Sequence, residues 1–267
     1  VLGIDLGTSA VKVCLMNEQG KIVDEASASY PLVHDKPGYS EQSPADWVNG
    51  TITSIRELLS RFEGDVTNIV GTSYSGQMHG LVLLDANNEV LRPAILWNDT
   101  RTTEQCVQIT EKVGQQTLLQ VAKNQALEGF TLPKILWVKE HEPEIYAQAK
   151  QFLLPKDYVR FAMTGALHMD YSDAAGTLLL DIEKGTWSEQ IAKAVGVDLS
   201  LCPPLVAAVG EVGTITVDFA QATGLATSLK VFAGGADNAC GAIGSGIVTN
   251  GKTMASIINA LAYGLYT

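Results

Sequence analysis

Cysteine is scarce in this 267-residue chain, and the four present, Cys14, Cys106, Cys202 and Cys240, stand far apart with no C-x-x-C pair and no histidine at ligand spacing. A zinc site and a disulfide framework are therefore not indicated, and the four read as small buried residues in a reducing compartment. Proline is also sparse at 9 residues, and charged residues make up 18% against 46% hydrophobic, which excludes disorder and fits one large globular domain or two small ones. Positive charge is in deficit: 18 Lys and Arg face 29 Asp and Glu, a formal net charge of −11 that repels nucleic acid and anionic membrane, with no basic patch to reverse it. No uncharged apolar run reaches membrane-spanning length, and Val1-Leu2-Gly3-Ile4 reads as a strand rather than as the start of a signal peptide. A cytoplasmic protein without nucleic-acid or membrane partners is expected. Any phosphate on a ligand has to be received locally, by backbone N–H groups and a divalent cation.

What is present alternates short apolar runs with helical patterns. Val1 to Ile4, then Val11, Val13 and Leu15, then Lys21 to Val23 read as a three-stranded meander, with Asn17-Glu18-Gln19-Gly20 as a turn. Ser43-Pro44-Ala45-Asp46 predicts a helix start, with Val48, Ile52, Ile55, Leu59 and Phe62 as its apolar stripe. Ile69 to Tyr74 predicts a buried strand ending at Gly76, and Leu81 to Leu84 another before the turn Asp85 to Asn88. Helical patterns dominate from about residue 100 to 165, with a strand-like Phe152-Leu153-Leu154. The class is α/β, a mixed β-sheet flanked by helices.

Three glycine-rich loops carry the chemistry. Asp5-Leu6-Gly7-Thr8-Ser9 lies between two strands, so its N–H groups are free to turn toward phosphate oxygens, with Thr8 and Ser9 adding hydroxyl donors and Asp5 suited to a hydrated Mg2+. An ordinary hairpin turn gives the same local pattern. Gly76-Gln77-Met78-His79-Gly80 offers an imidazole for a hydroxyl and, in Met78, an adaptable apolar wall; a structural histidine on a tight turn is the alternative. Asp237, after Gly234-Gly235-Ala236 and before Asn238, is placed to accept a proton from an attacking hydroxyl, or else to cap the helix that follows. Trp97-Asn98-Asp99-Thr100-Arg101 and Tyr171 to Thr177 are both polar and small enough to wall a pocket, and one of the two is expected to do so.

Asp5 to Ser9, Tyr39-Ser40-Glu41-Gln42, Ser75 to Gly80, Leu91 to Asp99, Leu154-Pro155-Lys156-Asp157-Tyr158, Ser172 to Thr177 and Gly234 to Ala239 together resemble the motifs of the FGGY carbohydrate kinases, in order from Val1 to about Ser256. The resemblance implies an actin-like ATPase (ribonuclease H-like) fold, with ATP and substrate in a cleft between two domains. It also implies that Asp237 is the general base and that Gln77, Met78, His79, Trp97, Asn98 and Asp237 bind the sugar. Asp5, Gly7, Thr8 and Ser9 fall on the ATP side, with Asp5 holding Mg2+ through water. The activity implied is ATP-dependent phosphorylation of D-xylulose to D-xylulose 5-phosphate, because glycerol kinases carry an Arg-Glu pair where this chain has Gln77-Met78-His79.

On that resemblance residues 1–252 form the N-terminal domain, with a helical insertion at about 100–165, and 253–267 begin the interdomain connection or form a displaced tail. The C-terminal domain that supplies the adenine pocket is not in this sequence, so the chain is expected to be the sugar-binding half with an incomplete ATP site, inactive alone and able to dimerise through an exposed cleft face. A non-catalytic sugar-binding module and a kinase for another ketose or polyol are the alternatives. An actin-like ATPase or chaperone leaves Gln77-Met78-His79 unexplained.

Overall fold

The computed structural model describes residues 1–253. The expectation attached to 253–267 therefore lies, from residue 254 on, outside the described residues.

Strands β1 (Leu2–Leu6), β2 (Ala10–Met16) and β3 (Ile22–Ser29) form the expected antiparallel meander. Leu2, Ile4 and Leu6 on β1 and Val11, Val13 and Leu15 on β2 are all buried, since a period of two puts each set on one face. Asn17 closes the β2–β3 turn by accepting the N–H groups of Gln19 and Lys21.

Helix α1 (Pro44–Arg61) packs across β2 and β3. Its buried face is rotated from the expected stripe: Trp47, Thr51, Ile55 and Leu58 go under, while Val48, Ile52 and Leu59 flank them. Trp47 sets this rotation, being fully buried with its indole N–H donating to Gln42 Oε1 at 2.9 Å. Ser43 holds the cap position, but its side chain makes no cap bond.

The rest of the main sheet comes from distant segments. β4 (Gly71–Gly76) runs parallel to β1, and β5 (Glu211–Thr214) pairs antiparallel with β6 (Lys230–Phe232), which lies parallel to β4. The short β7 (Gly235–Ala236) also pairs parallel with the end of β4, and the sheet order is β5-β6-β4-β1-β2-β3. Leu6 and Ala236 both pair with Gly76, so β1, β4 and β7 end at one level. The three glycine-rich loops therefore leave the sheet together at its carboxyl edge, the place where open α/β sheets bind ligands.

A second apolar cluster draws on residues from Leu81 to Cys202, a wider stretch than the expected helical segment. It includes α2 (Thr103–Val113), α3 (Thr131–His141), and a strand pair, Val82–Leu84 with Gln151–Leu153. α4 (Pro155–Thr164) packs into the first cluster through Val159 and Met163, and the short α5 (Tyr171–Ala175) into the second through Ala174; α6 (Val217–Thr223) and α7 (Asp237–Gly244) follow. All four cysteines are free, and no helix of the described residues is long and apolar enough to cross a membrane.

Candidate active site

At the carboxyl edge a hollow of about 190 Å³ is lined by Thr8, Met78, His79, Trp97, Asp237 and Asn238. Residues 79 and 237, far apart in sequence, thus share one cavity.

His79 is held by its backbone and by its ring. Its φ is 70°, and Gly80 N–H donates to Met78 O at 2.9 Å, which is the strained γ-turn with positive φ at its centre. The ring Nδ1 lies 2.8 Å from the carbonyl oxygen of Gly176, which can only accept, so Nδ1 carries the proton. Burial, against the help of that hydrogen bond and with the nearby charge of Lys134, pushes the imidazole pKa down to about 4. His79 is therefore neutral near pH 7 and Nε2 is an acceptor. Phe130 packs edge-on against the ring at 4.9 Å.

Thr8 is likewise committed. Trp97 Nε1–H donates to Thr8 Oγ1 at 2.9 Å, and Thr8 donates to Gln77 Oε1 at 3.3 Å. Where a hydroxyl donor for phosphate is expected, the Thr8 proton here points inward to Gln77, and toward the hollow Thr8 presents an acceptor. Trp97 is the wall that the sequence left open between two segments, whereas residues 171 to 177 stand behind His79 and Asp237. Gly7 also departs from expectation, since its N–H donates to Ala10 O at 3.0 Å and its carbonyl accepts from Tyr30 Oη. The N–H groups of Thr8 and Ser9 have no acceptor among the described residues, and Ser9 is exposed at the loop tip.

Gln77 lies beneath the loop rather than in the hollow. It is 3% exposed and meets Gly7 O at 3.4 Å and Gln42 Oε1 at 3.3 Å, while Gln42 Nε2 donates to Thr8 O at 2.7 Å. The two amides tie the first loop to the second. Asn98 lines a different depression, beside His34 to Tyr39. Asn238 takes the expected place of an amide in the hollow, its Nδ2 3.9 Å from Met78 Sδ.

Asp237 is the first residue of α7, and Ala236 holds the cap position, so the helix-cap alternative for its side chain does not apply. Its Oδ1 accepts the Asn238 N–H at 2.6 Å, and Oδ2 has no partner among the described residues. Burial raises its pKa, opposed by the Asn238 bond, and the charge of Asp5 raises it further. Asp5 itself is exposed, next to Lys12, Ser75 and Cys240. The geometry gathers an acceptor-rich hollow, a carboxylate with a raised pKa and a second carboxylate at the loop that offers free N–H groups.

Residues 1–244 match the N-terminal domain of the FGGY family of carbohydrate kinases. The chain belongs to that family. It is 59% identical over 257 residues to a xylulose kinase of Bacillus subtilis (strain 168) and 48% identical over 248 residues to one of Lactococcus lactis subsp. lactis (strain IL1403). These alignments take 96% and 93% of this chain but 51% and 49% of the relatives, so the chain spans about half the length of the curated relatives it matches. Among solved structures, a xyloylose kinase from Brucella ovis superposes with TM-score 0.86 at 38% identity, covering 91% of this chain and 50% of that one. A gluconate kinase from Lactobacillus acidophilus gives 0.83 at 26%, covering 88% and 47%.

The mixed sheet flanked by helices is the actin-like ATPase fold of the FGGY kinases. Nothing in the sequence marks Phe130, and Gly176 and Asn238 carry no signal of their own, although both lie inside the motifs that carry the family resemblance.

Proposed function

We propose that the chain is the sugar-binding half of an ATP-dependent kinase that phosphorylates D-xylulose to D-xylulose 5-phosphate. The observation that carries this reading is the polarity of the hollow. His79 Nε2, Thr8 Oγ1 and Asp237 Oδ2 all present acceptors, and the Trp97 N–H is already spent on Thr8. A ligand rich in hydroxyl donors, with a carbon skeleton to lie against Met78 and Trp97, satisfies such a site. The 59% and 48% identity to two xylulose kinases supports the ketopentose over other polyols.

In this reading Asp237 accepts the proton of the sugar's terminal hydroxyl as that oxygen attacks the γ-phosphorus and the bond to the β,γ-bridging oxygen breaks. Its raised pKa brings it nearer working pH, which suits a base. Asp5 and the loop N–H groups of Thr8 and Ser9 fit the nucleotide side: the exposed carboxylate is a hard ligand suited to a hydrated Mg2+, which when bound supplies charge neutralisation for the phosphates. ATP as substrate and four free cysteines suit the cytoplasm. We assign residues 1–252 to the sugar-binding domain, with the remaining ATP contacts supplied from outside it.

The test is a coupled ADP-release assay on the full-length protein with D-xylulose, glycerol and gluconate. D-xylulose is expected to give the highest kcat/KM; preference for either of the others removes the substrate assignment.

A further inference from the structure

Ser172 lies outside the hollow, yet its hydroxyl is fixed at both ends. Its oxygen accepts the N–H of Ala236 at 2.9 Å, and its proton goes to Asp170 Oδ2 at 2.5 Å. The same Oδ2 accepts the Ser172 N–H at 2.8 Å, while Asp170 Oδ1 meets Lys156 Nζ at 2.9 Å. Lys156 also meets Asp157 at 2.6 Å and Asp173 at 3.1 Å, with all four side chains fully buried. Asp157, Asp170 and Asp173 are close enough together to hold a metal ion, but the Lys156 ammonium already supplies the positive charge they share.

The cluster grips the next loop at a second point. Arg160, paired with Asp157 at 2.9 Å, donates to Ala233 O at 2.9 Å. Between the two anchors are Gly234, where a Cβ would fall 2.3 Å from Tyr74 O, and Gly235, where one would fall 3.2 Å from Ser172 Oγ. The segment from 233 to 236 is held at both ends, and Asp237 follows it directly.

We propose that Ser172, oriented by Asp170, is a positioning residue that sets the reach of the Asp237 carboxylate into the hollow. It acts through the Ala236 backbone and touches no substrate. The proposal rests on the reading of Asp237 as the base. Ser172 supplies the acceptor that the short β7 does not provide for Ala236, and the ion cluster keeps that hydroxyl from rotating away.

The experiment compares wild type, Asp237→Asn, Ser172→Ala, Ser172→Cys and Ser172→Thr in the full-length protein with D-xylulose and ATP, together with hydrogen exchange of the amides in 233–240. Ser172→Ala is expected to lower kcat by about tenfold to a hundredfold, the effect of displacing a reacting group by an ångström or so. KM for the sugar should change much less than kcat, because Thr8, Met78, His79 and Trp97 keep their places in the lining. Protection of the Ala236 amide should fall while that of β1 holds, and Ser172→Thr, which keeps the hydroxyl, should recover most of kcat. If Ser172→Ala does not fold, Ser172→Cys, whose sulfur is a weaker and longer acceptor, should give an intermediate kcat. Loss of turnover in Asp237→Asn beside wild-type kcat and protection in the Ser172 variants overturns the positioning role. Turnover retained by Asp237→Asn overturns instead the base assignment on which the role depends.

Discussion

His79 gives its imidazole proton to the carbonyl oxygen of Gly176, 97 residues further along the chain, at 2.8 Å. That one contact fixes the tautomer, aims the ring and leaves Nε2 bare, so a backbone carbonyl decides that His79 offers an acceptor to the hollow. The absence of a side chain on residue 176 makes the approach possible: a Cβ there would lie 2.7 Å from both Cε1 and Nδ1 of His79 and 3.1 Å from Met78 Cε.

Gly176→Ala tests the relationship with a single methyl group. The backbone at 176 has φ −78°, which alanine adopts freely, so only the collision with His79 and Met78 acts. The KM for D-xylulose should rise by about tenfold or more, with a smaller change in kcat, in line with a displaced binding group. An unchanged KM would mean that the ring is not held against Gly176 when sugar binds.

His79→Asn removes the Nε2 acceptor while keeping a residue that tolerates φ 70°. A sugar hydroxyl left without a partner in the hollow costs about 1–3 kcal/mol, so calorimetry should show affinity reduced by roughly tenfold or more. The wild-type imidazole also leaves a mark on stability. With burial pushing its pKa from 6.5 down to about 4, the unfolded chain binds the proton first as pH falls. Its contribution is present above about pH 6.5 and is lost as pH falls through 4; the asparagine variant should lack this part of the pH profile, read from thermal unfolding between those values. Identical profiles would contradict the buried, neutral ring.

Much of this was legible in sequence because it is local. Alternation in Val11, Val13 and Leu15 identifies a strand whatever it pairs with, and a glycine-flanked Asp or His marks a loop that can approach a ligand. What was not legible is pairing between distant segments. Nothing in Gln77 itself says that its amide turns under the first loop to meet Gly7 and Gln42 instead of facing a ligand. The direction of the Thr8 proton is hidden for the same reason, since it depends on Trp97 and Gln77, both supplied by other loops. The rotation of α1 follows Trp47, whose large ring is fully buried and whose indole N–H finds Gln42 outside the helix, a partner that helical spacing does not show.

The charge of Asp5 should be felt at Asp237. Burial raises the pKa of Asp237, and the negative charge of Asp5 adds to the rise. Asp5→Asn removes that charge, so the Asp237 carboxyl resonance, followed by carbon NMR through a pH titration, should move to a lower pKa. The residual elevation from burial should remain. A pKa that stays put or increases would separate the two carboxylates electrostatically and weaken the placement of a cation beside the base.

The buried ion cluster makes a prediction of opposite sign to that for His79. Three carboxylates, Asp157, Asp170 and Asp173, share two cations, Lys156 and Arg160, and all five side chains are fully buried. Burial, partly offset by Lys156 and reinforced by the other two carboxylates, pushes the Asp173 carboxyl from 3.8 up to about 8, so retaining one proton there balances the cluster. Between those two pH values the folded protein binds a proton that the unfolded chain has released, and stability therefore declines as pH rises from about 4 to about 8. Asp173→Asn is isosteric with the protonated acid and keeps an oxygen for Lys156, but has no proton to lose. Its thermal midpoint should stay close to wild type near pH 5 and exceed it above pH 8, in calorimetric scans across the range. A variant destabilised equally at every pH would show that Asp173 is ionised in the folded protein and that its negative charge is needed to hold Lys156.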